Sequence, residues 1–265
     1  MLISVIVTIR NEEHHIRGLL DSLAVQEGPL EVVIVDAHST DATQPIVQEY
    51  CRRHDFMGLY LQGGTRGEGR NFAIGKAKGE AVAFIDGDCV ADPAWLREIR
   101  ADLKAGREIV AGKTVRMGRP QFARLSRVEL FYQGFDLTFP SCNLAYRTTV
   151  VKEAGLFDTK FRTAEDIDLN FRAVRNGHKI HYNERAVVLH HERDTMVAFL
   201  KQAFWNGYGR KQLTLKHGRL WSNYSVGNMI RHDMSFWYLV RTVIALLGYA
   251  TAKARERKED YAGSD

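Results

Sequence analysis

The chain has 265 residues, 45% of them hydrophobic and 26% charged, with a net charge of +5. This composition excludes long disorder and a fibrous protein, fits one large domain or a domain with an appendage, and suits an anionic ligand without choosing one. Three widely spaced cysteines, Cys51, Cys89 and Cys142, form no CxxC pair, which argues against a disulfide framework or a zinc ribbon and makes a reducing cytosol the expectation.

Leu2 to Ile9 is β-branched and apolar and reads as a first strand in place of a signal peptide. Asn11 then offers a cap for a helix with Ile16, Leu19, Leu20 and Leu23 at helical spacing. Glu31 to Val35, ending at Asp36, is a second buried strand. Caps at Ser39 to Asp41 lead into a helix marked by Ile46, Val47 and Tyr50. Leu59 to Leu61 is a short third strand. A glycine-rich loop carrying Arg66 and Arg70 follows and enters a helix on Phe72, Ile74 and Ala77. The two arginines reach phosphate or base, or form a solvated basic turn.

Ala81 to Ile85 is an unalternating apolar run, the pattern of a strand covered on both faces in a parallel sheet. Asp86, Gly87 and Asp88 follow at once, at the strand end where open α/β sheets bind ligands. Two carboxylates aimed at one spot repel unless a cation or ligand hydroxyls lie between them. The alternative is a solvated surface turn. Asp92 is expected to cap, and Pro93 to open, a helix with Trp95, Leu96, Ile99 and Leu103 inward. The alternation predicts a doubly wound, mostly parallel α/β fold with Thr8, Asp36, Asp86 and Asp88 on one rim. Gly63 to Gly69 lacks GK[ST], and GxGxxG does not follow the first strand, so neither a P-loop nor a dinucleotide site is supported.

Three segments, SVIVTIRNEEHHIRGLLDSL, EVVIVDAHSTDAT and GEGRNFAIGKAKGEAVAFIDGDC, resemble in order and spacing the nucleotide-binding half of inverting family 2 glycosyltransferases with the GT-A fold. The resemblance runs from Leu2 to about Trp95 and resumes from Ser141 to Tyr182. It implies that Thr8, Arg10 and Glu12 line a nucleotide pocket, that Asp36 holds the base, that Arg70 reaches the nucleotide, that Asp86 meets the ribose, and that Asp88 binds the metal bridging a diphosphate. The first strand ends Thr8-Ile9-Arg10 where many relatives carry proline and tyrosine.

In the second half, Arg107 to Val115 reads as a strand, RMGRP as a loop and Gln121 to Phe131 as a helix. Ser141 to Asn143 precedes the strand LAYR, and Thr148 caps a short helix ended by Gly155. By resemblance the turn holding Asn143 faces the donor sugar. Thr163 with Asp166 reads as a helix-capping pair. The resemblance instead makes Asp166 the catalytic base, supported by Glu165, with Asp168 solvated or structural. Arg185 to His191 is a strand whose terminal imidazole completes a Mn²⁺ or Mg²⁺ site with Asp88; His190 is favoured, with His191 as the alternative, since strand neighbours face opposite ways. A helix from Thr195 to Asn206 leads into GYGRKQ, where Arg210 closes over the leaving diphosphate or stays a solvated basic loop.

Ser235 to Ala252 is apolar but interrupted by Arg241, too short to span a bilayer, and no segment reaches the length of a membrane span. It suits a helix at a membrane interface through Trp237 and Tyr238, or one packed on its own domain or on a second copy in a homodimer. The expected organisation is a glycosyltransferase domain over 1–220, divided at 95/96 into nucleotide and sugar/acceptor halves, and a helical extension over 221–265. The expected activity is metal-dependent, inverting transfer from a nucleoside diphosphate sugar, UDP-linked by the resemblance, to a lipid-linked or cell-envelope polysaccharide acceptor at the cytoplasmic face of a membrane. A sugar nucleotidyltransferase and a non-catalytic nucleotide-binding module are the alternatives; dispersed basic residues argue against nucleic acid.

Overall fold

The computed structural model describes residues 1–119, 122, 125, 127–191, 195–218, 220 and 235–262, with side chains up to residue 252. Its frame is β1 (Ile3–Ile9), α1 (Ile16–Ala24), β2 (Leu30–Asp36), α2 (Thr43–Arg53), β3 (Met57–Leu61), α3 (Arg66–Lys76), β4 (Ala81–Asp86), β5 (Cys89–Ala91) and α4 (Trp95–Lys104). It continues with β6 (Ile109–Met117), β7 (Phe131–Tyr132), β8 (Phe135–Asp136), a 3-10 turn (Ser141–Asn143), β9 (Leu144–Arg147) and α5 (Thr148–Glu153). The last elements are α6 (Glu165–Arg175), β10 (Ile180–His191), α7 (Met196–His217) and α8 (Phe236–Ala262).

Eight strands form one sheet in the order β3-β2-β1-β4-β9-β6-β10-β5. Only β9 and β5 run against the others. Alternation along β1 builds both layers: Ile3, Val5, Val7 and Ile9 pack with α1, α2 and α4, while Ile6 packs with α3, α5 and α6 on the other face. Pairing of Ile9 with Asp36 and of Thr8 with Asp86 brings three strand ends to one rim, as the sequence implied.

Several local expectations are corrected. Asn11 does not cap α1, which begins at Ile16; its backbone is left-handed (φ 55) and its side chain accepts from Thr40 N at 2.8 Å, clipping two loops together. Asp92 sits ahead of α4, accepting from Ala94 N at 2.8 Å, and Pro93 lies outside the helix. The glycine-rich loop is shorter than expected, covering Gly63 to Thr65 and giving way to α3 at Arg66. Thr65 and Glu68 make a reciprocal capping box, and Gly67 and Gly69 fall in the first turns of α3. A Cβ on Gly69 would stand 3.2 Å from Thr8 Cγ2, so this glycine lets α3 lie close against β1.

Thr163 is not the cap of α6; Ala164, in a left-handed conformation (φ 64), holds that position without a side-chain hydrogen bond. Arg116 and Met117, expected in a loop, extend β6; of the expected helix from Gln121 to Phe131, residues 121, 123, 124 and 126 lie outside the described residues, and Arg127–Phe131 is not helical but runs into the β7–β8 hairpin. GYGRKQ lies within α7, which continues to His217. Its glycines are packing sites. A Cβ on Gly207 would collide with Ala245 O of α8, and one on Gly209 would stand 2.7 Å from Thr163 Cγ2. Trp237 packs with Phe122 and Phe199, leaving Phe236, Leu239, Val243, Leu246 and Leu247 exposed along α8. Among the described residues no helix is long and apolar enough to cross a membrane.

Candidate active site

β4 delivers Asp86 to the rim, and the chain turns at Gly87. A Cβ there would stand 2.8 Å from Ile9 Cγ2 and 3.0 Å from Glu12 Cγ, so glycine is what allows the β1–α1 loop to close against the acidic turn. Arg70 reaches this point from α3, only 2% exposed, and donates through Nη1 to Glu165 Oε1 at 2.7 Å and through Nη2 to Asp86 Oδ1 at 3.1 Å. One guanidinium therefore joins the end of β4 to the start of α6. Burial alone would lower the Arg70 pKa; the charges of Asp86 and Glu165 outweigh it and hold the guanidinium protonated. Arg70, expected to reach outward to a nucleotide, is instead a buried strut.

Asp166 follows at the start of α6, half-buried, accepting from Ser141 N at 3.1 Å and from its neighbour Ile167 N at 2.8 Å. Burial, reinforced by the charge of Glu165, raises its carboxyl above the ordinary aspartate value, against the opposing pull of Arg70 and the two N–H groups. That makes it a stronger base than an ordinary aspartate. Asp168 is buried outright, neither solvated nor open to the site. Its oxygens take Arg172 Nη2 at 2.7 Å, His217 Nε2 at 2.7 Å and Lys216 Nζ at 2.8 Å. Burial would raise this carboxyl too, but those partners outweigh it and bring it to about 2.

Asp88 and His190 meet where β5 pairs with β10. Asp88 Oδ1 lies 3.3 Å from His190 Nε2; burial would lower the imidazole pKa, and the carboxylate outweighs it, bringing it to about 9. His191 turns away, its ring 5.2 Å from that of His15. A separation of 3.3 Å suits two donors on one divalent ion, because bonds of about 2.0–2.2 Å set neighbouring ligand atoms roughly 3–3.5 Å apart. Cys89 joins them: its Sγ is 3.9 Å from Asp88 Oδ1, and the three donor atoms lie within 4.8 Å of one another. A hydrogen bond shared with Cys142, together with burial, raises the Cys89 thiol pKa, a situation that a coordinating cation inverts.

The remaining expected residues divide. Thr8 and Glu12 are half-buried beside the acidic turn, with Arg10 exposed beyond them. Asp36 is on the rim but fully buried, its carboxylate taking Ser39 N at 2.9 Å, Gln44 Nε2 at 2.6 Å and the Ser39 hydroxyl. Asn143 does not face a sugar. Its side chain is fully buried, accepts from Trp95 Nε1 at 2.8 Å and donates to Lys113 O and Ala186 O, filling the space Gly112 leaves between β6 and β10. Arg210 lies inside α7 and donates to Val128 O at 2.6 Å. The residues sequence reasoning missed are Cys89 and the Ser141 N–H. Adjacency of Cys89 to Asp88 was the available signal for the first.

The model of the family described as "Glycosyl transferase family 2" matches residues 4–207. The chain belongs to that family. Among its relatives, the poly(ribitol-phosphate) β-N-acetylglucosaminyltransferase TarS of Staphylococcus aureus is 33% identical over 193 residues, covering 68% of this chain but 34% of TarS. The chain thus spans about a third of that relative. Glycosyltransferase AglE of Haloferax volcanii is 25% identical over 226 residues, covering 80% of this chain and 73% of AglE. Among solved structures, TarS 1–349 in complex with UDP superposes with a TM-score of 0.63 at 24% identity, over 95% of this chain and 81% of that one. The mannosyltransferase PcManGT of Pyrobaculum calidifontis, in complex with GDP-Man and Mn²⁺, gives 0.65 at 20% identity, over 99% and 76%. The family member described here has the GT-A fold.

Proposed function

We propose that this chain transfers a sugar from a nucleoside diphosphate donor to an acceptor hydroxyl with inversion at the anomeric carbon. The observation that carries the proposal is the Arg70 strut, which fixes the Asp86 turn and the Glu165–Asp166 helix start against each other by reaching a glutamate 95 residues away. Asp166, its pKa raised, takes the proton of the acceptor hydroxyl as that oxygen attacks. Glu165 is spent on Arg70 and acts as a positioning residue. Thr8, Glu12 and Asp86 line the nucleotide side, with Asp36 stiffening the rim. Asp88 and His190 would hold a divalent cation, Mn²⁺ or Mg²⁺, whose positive charge would offset that of a leaving diphosphate.

UDP is the nucleotide we assign, supported by the UDP and UDP-GlcNAc complexes of TarS; the GDP-Man complex of PcManGT makes GDP the alternative to test. Family membership weighs against the nucleotidyltransferase alternative, and retention of Asp86, Asp88 and Asp166 argues against a non-catalytic module. A panel of UDP- and GDP-sugars with Mn²⁺, with the anomeric configuration of the product read by NMR, tests the proposal. An inverted product from a UDP-sugar is expected, and a retained configuration contradicts it.

We also place α8 against the cytoplasmic face of a membrane, near a lipid-linked or polysaccharide acceptor. The exposed row Phe236, Leu239, Val243, Leu246 and Leu247 supports this. Leu239→Asp with Val243→Asp is expected to abolish sedimentation with anionic vesicles. Unchanged sedimentation, or conversion of a stable dimer to monomer, opposes it and favours a second copy as the occupant.

A further inference from the structure

We propose that Cys89 is a third protein ligand of the Asp88–His190 centre, which makes this a mixed oxygen, nitrogen and sulfur site that prefers thiophilic divalent ions such as Co²⁺ and Zn²⁺ to Mg²⁺. The inference rests on the reading of Asp88 and His190 as cation ligands and adds the sulfur to it.

The topology brings the three donors together. In the antiparallel β5–β10 pair, Cys89 lies directly opposite His190, and residues opposite each other in such a pair project to the same face of the sheet. Asp88 reaches the same spot from the turn just before β5. Its Oδ1 is 3.3 Å from His190 Nε2 and 3.9 Å from Cys89 Sγ. Zinc-type bonds of about 2.0 Å to oxygen or nitrogen and 2.3 Å to sulfur place an oxygen–nitrogen edge of a tetrahedron at roughly 3.3 Å and an edge to sulfur a few tenths longer. The oxygen–nitrogen separation matches the first edge, the oxygen–sulfur separation of 3.9 Å is somewhat longer than the second, and all three atoms lie within 4.8 Å of one another, so the site closes by drawing the sulfur inward.

Burial is graded in the direction such a centre needs. The Cys89 residue is 1% exposed, while the side chains of Asp88 and His190 are 18% and 23% exposed. Sulfur thus forms the floor and the harder donors form the walls, with the outward side open for a substrate oxygen or water. Three protein ligands and one open position is the arrangement of catalytic zinc sites, and thiolate is the ligand that shifts preference from hard toward softer ions. Loading an ion here sends two protons to solvent, one from the Cys89 thiol and one from the His190 ring. Cys142 lies behind Cys89, its Sγ 4.0 Å from Thr114 Oγ1, and is not one of the three convergent donors.

Co²⁺ titration of the full chain under a non-thiol reductant tests the assignment by absorbance, without reference to turnover. The wild type is expected to show visible ligand-field bands together with a thiolate-to-cobalt charge-transfer band in the near ultraviolet. Cys89→Ser and Cys89→Ala should each lose the charge-transfer band and bind Co²⁺ roughly tenfold more weakly or worse, with Mg²⁺ affinity unchanged. Cys142→Ser and Cys51→Ser should keep the band, and thermal melts of all variants establish that they are folded. Co²⁺ binding by the wild type without the band, or a band that survives Cys89→Ala, overturns the sulfur ligand while leaving Asp88 and His190 in place. Failure of the wild type to bind Co²⁺ overturns the cation reading from which the inference starts.

Discussion

The two acidic clusters at the rim differ in how their charge is met. Around Arg70, the carboxylates of Asp86 and Glu165 share a guanidinium that is almost wholly buried, so the protein neutralises them with its own residues. Asp88, two residues beyond Asp86, meets His190 and Cys89 where β5 pairs with β10 and keeps part of its surface open. The first cluster is a closed joint, and the second is a partly open group of oxygen, nitrogen and sulfur donors. Acids at one strand end therefore do not share one environment: Asp86 meets a buried guanidinium, while Asp88 meets an imidazole that is itself partly exposed.

Breaking the joint should have the largest effect. Arg70→Met strands two carboxylates near the interior, and loss of one partner of a buried ion pair costs about 3–5 kcal/mol. Urea unfolding should show that loss together with loss of turnover, whereas a variant of near wild-type stability would mean that Asp86 and Glu165 have other partners. Asp88→Ala should act in the opposite way, leaving the fold intact and weakening Mn²⁺-dependent donor binding by roughly 10–100-fold or more, as read by calorimetry with and without the ion.

The Asp166 carboxyl sharpens the contrast through pH. Because its pKa is raised and its basic form is required, activity should be lost as pH falls through a value above that of an ordinary aspartate. The acid limb of the pH–rate profile measures this; a limb at the ordinary aspartate value would show that the burial has no such effect. The smallest effect belongs to Asp168. Its folded pKa of about 2 lies below the ordinary 3.8, so its stabilisation is present above the ordinary value and disappears as pH falls toward about 2. Asp168→Asn should lower stability at neutral pH by roughly 2–3 kcal/mol and flatten this acid dependence, both measurable by thermal melts.

Much of this arrangement was legible before the structure. The unalternating run Ala81–Ile85 followed at once by Asp86-Gly87-Asp88 announces a buried parallel strand with acids at its ligand-binding end, because the period of apolar residues depends only on which faces are covered. The same alternation implies that only one of His190 and His191 faces Asp88, without saying which; the structure sets His190 beside it. What pattern does not reveal is which charge meets which. Arg70 looks like a loop residue free to reach a nucleotide until α3 is seen to start at Arg66, and its partner Glu165 is 95 residues away. Asn143 was placed on a sugar because its turn resembles one that faces a donor; the bulge between β6 and β10 that its amide fills is a non-local feature. The sequence suggests a helix ending before GYGRKQ, whereas the helix runs on to His217 and Gly207 is where α8 packs closest against it, a non-local contact.

The most direct measurement pairs donor binding with turnover in Asp166→Asn, a substitution that keeps the shape of the side chain and removes its basicity. Donor affinity by calorimetry in the presence of Mn²⁺ should stay close to wild type while turnover falls by about 10²–10⁴. Wild-type turnover in that variant would contradict the placement of the base at the start of α6.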